Sequence, residues 1–137
     1  MVVRVATTLA RFLYRASSGR IGGRFGKARV LLLTTTGRRT HKRRTTPVAY
    51  LEDSDRLVVI ASFGGADVHP SWYLNLVANP KVEAQLRGRP PRPMRARVAT
   101  GDERERLWPE VVAMWPGYQR YRDKTTREIP LVILEEE

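Results

Sequence analysis

Few side chains in this sequence are suited to catalysis on their own. The two histidines are His41, in a basic stretch, and His69, beside a proline; neither has a second histidine at ligand spacing, so no metal centre is expected. The absence of cysteine removes thiolate nucleophiles, sulfur-ligated metals and disulfides. There is no Gly-x-Ser-x-Gly elbow. An enzyme built from this chain would need a bound cofactor to carry the reaction. The residues with chemistry to offer are binding groups. Stretch 34–44 (TTTGRRTHKRR) puts five cations into the seven residues from Arg38 to Arg44. Guanidinium forks beside loop N–H groups suit an extended polyanion, such as a phosphate with carboxylates attached. A solvated basic turn explains the charge equally well.

Three further groups stand out. In 61–66 (ASFGGA) a strand end runs into a Gly-Gly loop, where a planar ring can approach the backbone and Ser62 can bond a ring carbonyl. A plain tight turn is the simpler account. Stretch 70–76 (PSWYLNL) opens a helix whose N-terminus can face an anion, with Trp72 and Asn75 on one face and Tyr73, Leu76 and Val77 as core. Trp115, Tyr118 and Tyr121 recur every three residues, interleaved with Pro116, Gly117 and Arg120. That pattern is either a core stripe or an aromatic pocket wall whose phenol can donate a proton.

The elements that would position these groups follow from patterning. Residues 4–16 carry Val5, Leu9, Phe12 and Leu13 at helical spacing between arginines, and a glycine-rich loop follows to Gly26. Strands are expected at 30–36, 44–51, 57–62, 82–86, 94–100 and 129–134, with Pro47 marking an edge or bulge and an acidic tail at the end. A helix from Pro70 at its first position runs to Ala78 and stops at Asn79-Pro80. Thr100 and Glu103 make a capping box for a helical region that Pro109 and Pro116 cut into short pieces. Six strands joined by hairpins, with about four helices, point to an α+β fold: an antiparallel barrel with helices around it. A chain of 137 residues makes one domain, with 1–26 as a leading helix and loop and 27–137 as the barrel.

The net charge of +11, nearly all arginine, implies an anionic partner: nucleic acid, an acidic membrane face or a phosphorylated small molecule. No apolar run approaches the ~20 residues of a membrane-spanning helix. The expectation is a cytoplasmic protein, with weak contact to the inner membrane face through the basic amphipathic helix.

Taken together, VLLLTTTGRR (30–39), RTTPV (44–48), Ala61-Ser62 with Gly64-Gly65-Ala66, WYLNL (72–76), Ala78-Asn79-Pro80, Trp108-Pro109 and Ile129-Pro130 resemble the deazaflavin-dependent nitroreductase family of actinobacteria. The likeness runs from about residue 11 to residue 134. It implies a split β-barrel and the cofactor coenzyme F420, a deazaflavin with a phosphate and an oligoglutamate tail. By motif position, Arg38, Arg39, Thr40 and Arg44 would hold the phosphate and glutamates. Pro47, Val48, Ala49, Ile60, Ala61 and Ser62 would line the ring, Trp72 and Asn75 would close the site, and Tyr118 would face ring and substrate beside Trp115 and Tyr121. The implied reaction is hydride transfer to a quinone, enone or nitroaromatic, with a proton from Tyr118, Ser62 or water. Three positions depart from the family: His41 stands where glycine is usual, Phe63 where some members have a cofactor-contacting lysine, and Trp115 where drug-activating members have tyrosine. Two other readings remain: an FMN-binding barrel of the same class, and a basic nucleic-acid-binding module. Against the second, no aromatics interleave with the basic loop as a stacking platform requires. The chain is expected to be a monomer or a weak homo-oligomer.

Overall fold

The computed structural model describes residues 24–25, 28–62, 68–124 and 128–137. The strands are β1 (Arg24–Phe25), β2 (Ala28–Thr36), β3 (Arg43–Asp53), β4 (Arg56–Ile60), β5 (Lys81–Gln85), β6 (Arg92–Val98) and β7 (Leu131–Glu136). The helices are α1 (Ser71–Ala78), α2 (Gly101–Met114) and α3 (Gly117–Lys124). Neighbours run β1-β2-β3-β4-β7-β6-β5, and β5 pairs back onto β2, so β2 to β7 close into a six-stranded antiparallel barrel. The expected barrel is therefore present. The expected helix at 4–16 lies outside the described residues.

Period-two alternation explains why the sheet closes. Leu31 and Leu33 of β2, Val48 and Tyr50 of β3, Leu57 and Val59 of β4, Met94 and Ala96 of β6, and Val132 and Leu134 of β7 share one buried cluster inside the barrel. The alternate residues Val58, Ile60, Leu131 and Ile133 face outward and are covered by Leu107 and Val111 of α2 and Tyr118 of α3. β4 and β7 are thus apolar on both faces. Truncating one such residue, as in Leu134→Ala, should cost about 2–5 kcal/mol.

The topology gives the barrel two mouths. At the upper one lie the β2–β3 turn, the end of β4 and α1. At the lower one lie the β3–β4 and β5–β6 turns and the end of β7. Leu76 of α1 joins the interior cluster, with Trp72 and Tyr73 packed against it, so α1 plugs the upper mouth.

Several local expectations are corrected. Pro109 does not cut α2, which runs unbroken from Gly101 to Met114. Leu107 and Val111, both fully buried, hold the turns on either side of the bond that proline cannot make. The break falls at Trp115-Pro116 instead. Thr100 is the N-cap of α2 but makes no side-chain cap bond. Glu103 is drawn away by charge, bonding Arg97 at 2.6 and 3.0 Å and Arg56 at 3.2 Å. Pro70 is the N-cap of α1 rather than its first residue. Val77 is exposed, because the short α1 buries only the side that meets the barrel. The acidic tail is part of β7: Glu136 pairs with Arg92 at 2.7 Å, and Glu135 with Arg97.

Candidate cofactor-binding site

The site residues gather around a place where the barrel wall parts. The β3–β4 ladder runs from Asp53↔Arg56 to Tyr50↔Val59 and goes no further. Above that point β3 stays paired with β2 as far as Arg43, while β4 stays paired with β7 at Ile60↔Leu131. Ala61 N–H continues along the same side, donating to the Pro130 carbonyl at 3.0 Å. The β3–β4 register therefore does not extend to Pro47–Ala49 and Ile60–Ser62, which lie beyond its last pair. Pro47 has no N–H to offer a neighbour, which suits an edge. The six residues expected to line a ring are the two rims of this cleft.

They do not all present side chains to it. Val48 points into the barrel and belongs to the interior cluster, so it borders the cleft through its backbone. Ala49 and Ile60 face the outer cluster, where Tyr118 is buried and Trp115 is packed alongside. Ala61 and Ser62 are buried, and Ser62 is engaged in an interaction of its own. Tyr118 caps the turn into α3, its N–H donating to the Trp115 carbonyl at 3.0 Å, and it too is engaged. A Cβ on Gly117 would lie 2.8 Å from Trp115 Cδ1, so the indole packs against Gly117 more closely than a larger residue there would allow. Tyr121 sits on α3, and its side chain is not among those described; Phe63 lies outside the described residues.

Above the cleft the β2–β3 turn is tightly built. Gly37 N–H donates to the Lys42 carbonyl at 2.8 Å, and His41 N–H returns to Gly37 at 2.9 Å. Thr40 Oγ1 accepts from Lys42 N–H at 3.2 Å. His41 has φ 59°, a left-handed conformation that glycine adopts more readily. Histidine thus keeps the geometry glycine would give, at some strain.

Arg38 is fixed from below. Asn75 of α1 is buried, and its Oδ1 accepts both the Arg38 backbone N–H at 3.1 Å and a guanidinium N–H at 2.9 Å. Asn75 Nδ2 in turn lies 3.5 Å from Oγ1 of Thr35, a fully buried threonine at the inward-facing position after Leu31 and Leu33. Thr35 was missed as a site residue; a polar side chain where alternation calls for an apolar one is the signal. Arg44 stands opposite Thr35 on β3. Arg43 pairs with Glu83 at 3.2 Å, whereas Arg38, Arg39, Lys42 and Arg44 have no carboxylate partner among the described residues.

The carboxylates with displaced pKa values belong elsewhere. A hydrogen bond from Arg106, helped by Arg56, holds Asp53 below its ordinary range, and one from Arg97, again helped by Arg56, does the same for Glu103. These pairs tie the lower hairpin and β6 to α2.

An antiparallel barrel with a cationic turn above the end of the β3–β4 ladder is a scaffold able to hold an anionic small molecule. Residues 6–136 match the F420H(2)-dependent quinone reductase family. The F420H(2)-dependent quinone reductase Rv1261c of Mycobacterium tuberculosis is 38% identical over 131 residues, covering 89% of this chain and 84% of that protein. A second relative from the same species, Rv3178, is 39% identical over 116 residues, covering 84% and 97%. Among solved structures, an F420-H2 dependent reductase, FDR-A, superposes with a TM-score of 0.71 at 40% identity, covering 77% of this chain and 93% of that one. Another, described as a domain-swapped dimer, superposes with a TM-score of 0.75 at 36% identity, covering 93% and 94%. The chain belongs to the F420H(2)-dependent quinone reductase family.

Proposed function

We propose that this chain performs its family's reaction, reduction of a quinone-type acceptor by reduced coenzyme F420, with the cofactor ring in the cleft between β3 and β4. The observation that carries this placement is that Arg38, Arg39, Lys42 and Arg44, without a carboxylate partner among the described residues, stand above the point where the β3–β4 ladder ends. The donor set fits the group: fixed guanidinium forks and turn N–H groups match a phosphate followed by carboxylates, and the backbone beyond the end of the β3–β4 ladder would border a flat ring.

When bound, the deazaflavin supplies two electrons as a hydride. The chain's own residues do the rest. Arg38, held by Asn75, keeps most of its guanidinium N–H donors for the anionic tail, and Arg39 and Arg44 add charge on the same side. Thr40 shapes the turn through its bond to Lys42 and so positions these arginines. Trp72, on the face of α1 that shares Asn75, closes the cleft from above. Trp115 and Tyr118 would wall the acceptor side and exclude water, since hydride transfer needs acceptor and donor face to face at roughly 3–3.5 Å. Reducing a quinone to hydroquinone also takes up a proton, which Tyr118, Ser62 or water would supply. Enones and nitroaromatics, being electron-poor and flat, belong to the same acceptor class.

Among the described residues no helix is long and apolar enough to cross a membrane. Contact with an acidic membrane face through residues 4–16, and weak self-association, remain part of this reading; liposome flotation and sedimentation test them separately.

The direct trial of the dock is a titration of Arg38→Ala/Arg44→Ala with F420 of short and long glutamate tails. Affinity should fall about tenfold or more, a loss of at least ~1.4 kcal/mol, and more for long tails and at low salt. Unchanged affinity would place the dock elsewhere.

A further inference from the structure

The lower mouth of the barrel, about 23 Å along β2 from the cationic turn by strand rise, holds a recess of about 460 Å³. It is lined by Arg29, Arg56, Arg87, Arg89 and Arg92, with Glu52 and Asp55 as the opposing charges. Tyr50, Leu57 and Leu86 form its apolar part. The arginines come from four separate places in the chain, and barrel closure brings them to one rim.

They are not equivalent. Arg29 is paired with Glu52 at 3.4 Å and Arg92 with Glu136 at 2.7 Å. Arg56 is committed to Asp53 at 2.6 Å and Glu103 at 3.2 Å. These pairs fix three guanidinium groups in place without using all five N–H donors of each. Arg87 and Arg89, either side of Gly88 at φ 72° in the β5–β6 turn, have no carboxylate partner among the described residues. The turn is closed by Arg89 N–H donating to the Leu86 carbonyl at 3.1 Å, so both arginines stand on an ordered backbone.

A second observation points to a ligand. Tyr50 is 6% exposed, its ring lies in the barrel core, and its hydroxyl has no hydrogen-bond partner among the described residues. No fully buried side-chain polar atom there lacks a partner. The Tyr50 hydroxyl is therefore not sealed in the core, and the recess is the space that Tyr50 lines. A phenol donor at the base, two uncommitted guanidiniums at the rim and an apolar wall are the groups that would recognise an anion carried on an apolar body.

We propose that this recess is a second binding site, separate from the F420 cleft, for a small organic anion of the phosphate-monoester class, its phosphate on Arg87 and Arg89 and its apolar part against Tyr50, Leu57 and Leu86. The site does not depend on the cofactor assignment, because it shares no residue with the upper cleft.

Phenyl phosphate is the probe, added to the isotope-labelled full chain while backbone amide resonances are followed. Saturable shifts should appear at Tyr50, Gly88, Arg89 and Arg92. Arg87→Ala/Arg89→Ala, both on an exposed turn, should weaken the response about tenfold or more, and Tyr50→Phe about threefold. Arg38→Ala/Arg44→Ala should leave it unchanged. Inorganic phosphate should bind more weakly than phenyl phosphate, because it lacks the apolar body. Shifts confined to 38–44, a response that does not saturate, or one that survives Arg87→Ala/Arg89→Ala overturns the proposal.

Discussion

Asn75 Oδ1 accepts two hydrogen bonds from a single residue, the backbone N–H and the guanidinium of Arg38. Because Asn75 is buried on α1 and Arg38 lies in the β2–β3 turn, this one oxygen fastens the cationic turn to the helix that plugs the barrel. Cofactor affinity and fold stability therefore share a residue. Asn75→Leu should destabilise the protein by about 1–3 kcal/mol, since it strands the Arg38 N–H and Thr35 Oγ1. It should also weaken F420 binding. Denaturant unfolding and a cofactor titration on the same variant measure both; a stability loss with unchanged affinity would separate the turn from the cofactor.

His41 occupies a left-handed position in that turn. His41→Gly should keep the turn and raise stability by up to about 1 kcal/mol, whereas His41→Val should lower it by about 1–2 kcal/mol. F420 affinity should be unaltered by the glycine. A His41→Gly variant that unfolds at lower denaturant would show that the imidazole makes a stabilising contact.

Acid should loosen the joint between the lower hairpin and α2. Asp53 and Glu103 are held below their ordinary values of 3.8 and 4.5 by Arg106, Arg97 and Arg56. A carboxylate with a depressed folded pKa contributes stability that is full above its unfolded pKa and is lost as pH falls through the folded one. Stability should thus be level near pH 6 and fall progressively below about pH 5. Glu103→Gln should be less stable at pH 6 and show a shallower acid limb, read by denaturant midpoints across that range. An acid limb of unchanged slope would contradict the role given to Glu103.

Gly117→Ala places a methyl against the Trp115 indole, which must swing away. The expected result is a KM for menadione shifted about threefold or more with F420 affinity unchanged, the cost of overpacking being about 1–3 kcal/mol. Equal shifts in both constants would mean that Trp115 does not distinguish acceptor from cofactor.

The barrel was legible because each strand alternates or runs apolar over its own length, and β2 to β7 fall within about two residues of the expected bounds; the two-residue β1, inside the expected glycine-rich loop, was not foreseen. What failed depended on partners distant in sequence. Glu103 looks like a capping residue next to Thr100, but Arg97 and Arg56 reach it once β6 and β4 are in place. Pro109 looks like a break until Leu107 and Val111 are seen buried on the barrel. The cationic turn was visible because five cations fall within residues 38–44, whereas the recess joins Arg29 and Arg56 to the 87–92 hairpin only once the barrel closes. The cleft itself is a ladder that stops, which no single residue announces, although Pro47 hinted at it.

Reductase activity is measured by mixing the full chain with reduced F420 and menadione and following cofactor oxidation, with FMN and DNA titrated in parallel. The rate should be proportional to protein concentration and saturate in menadione, with F420 bound in preference to FMN and DNA. Oxidation no faster than the uncatalysed rate with quinone, enone and nitroaromatic acceptors alike would contradict it.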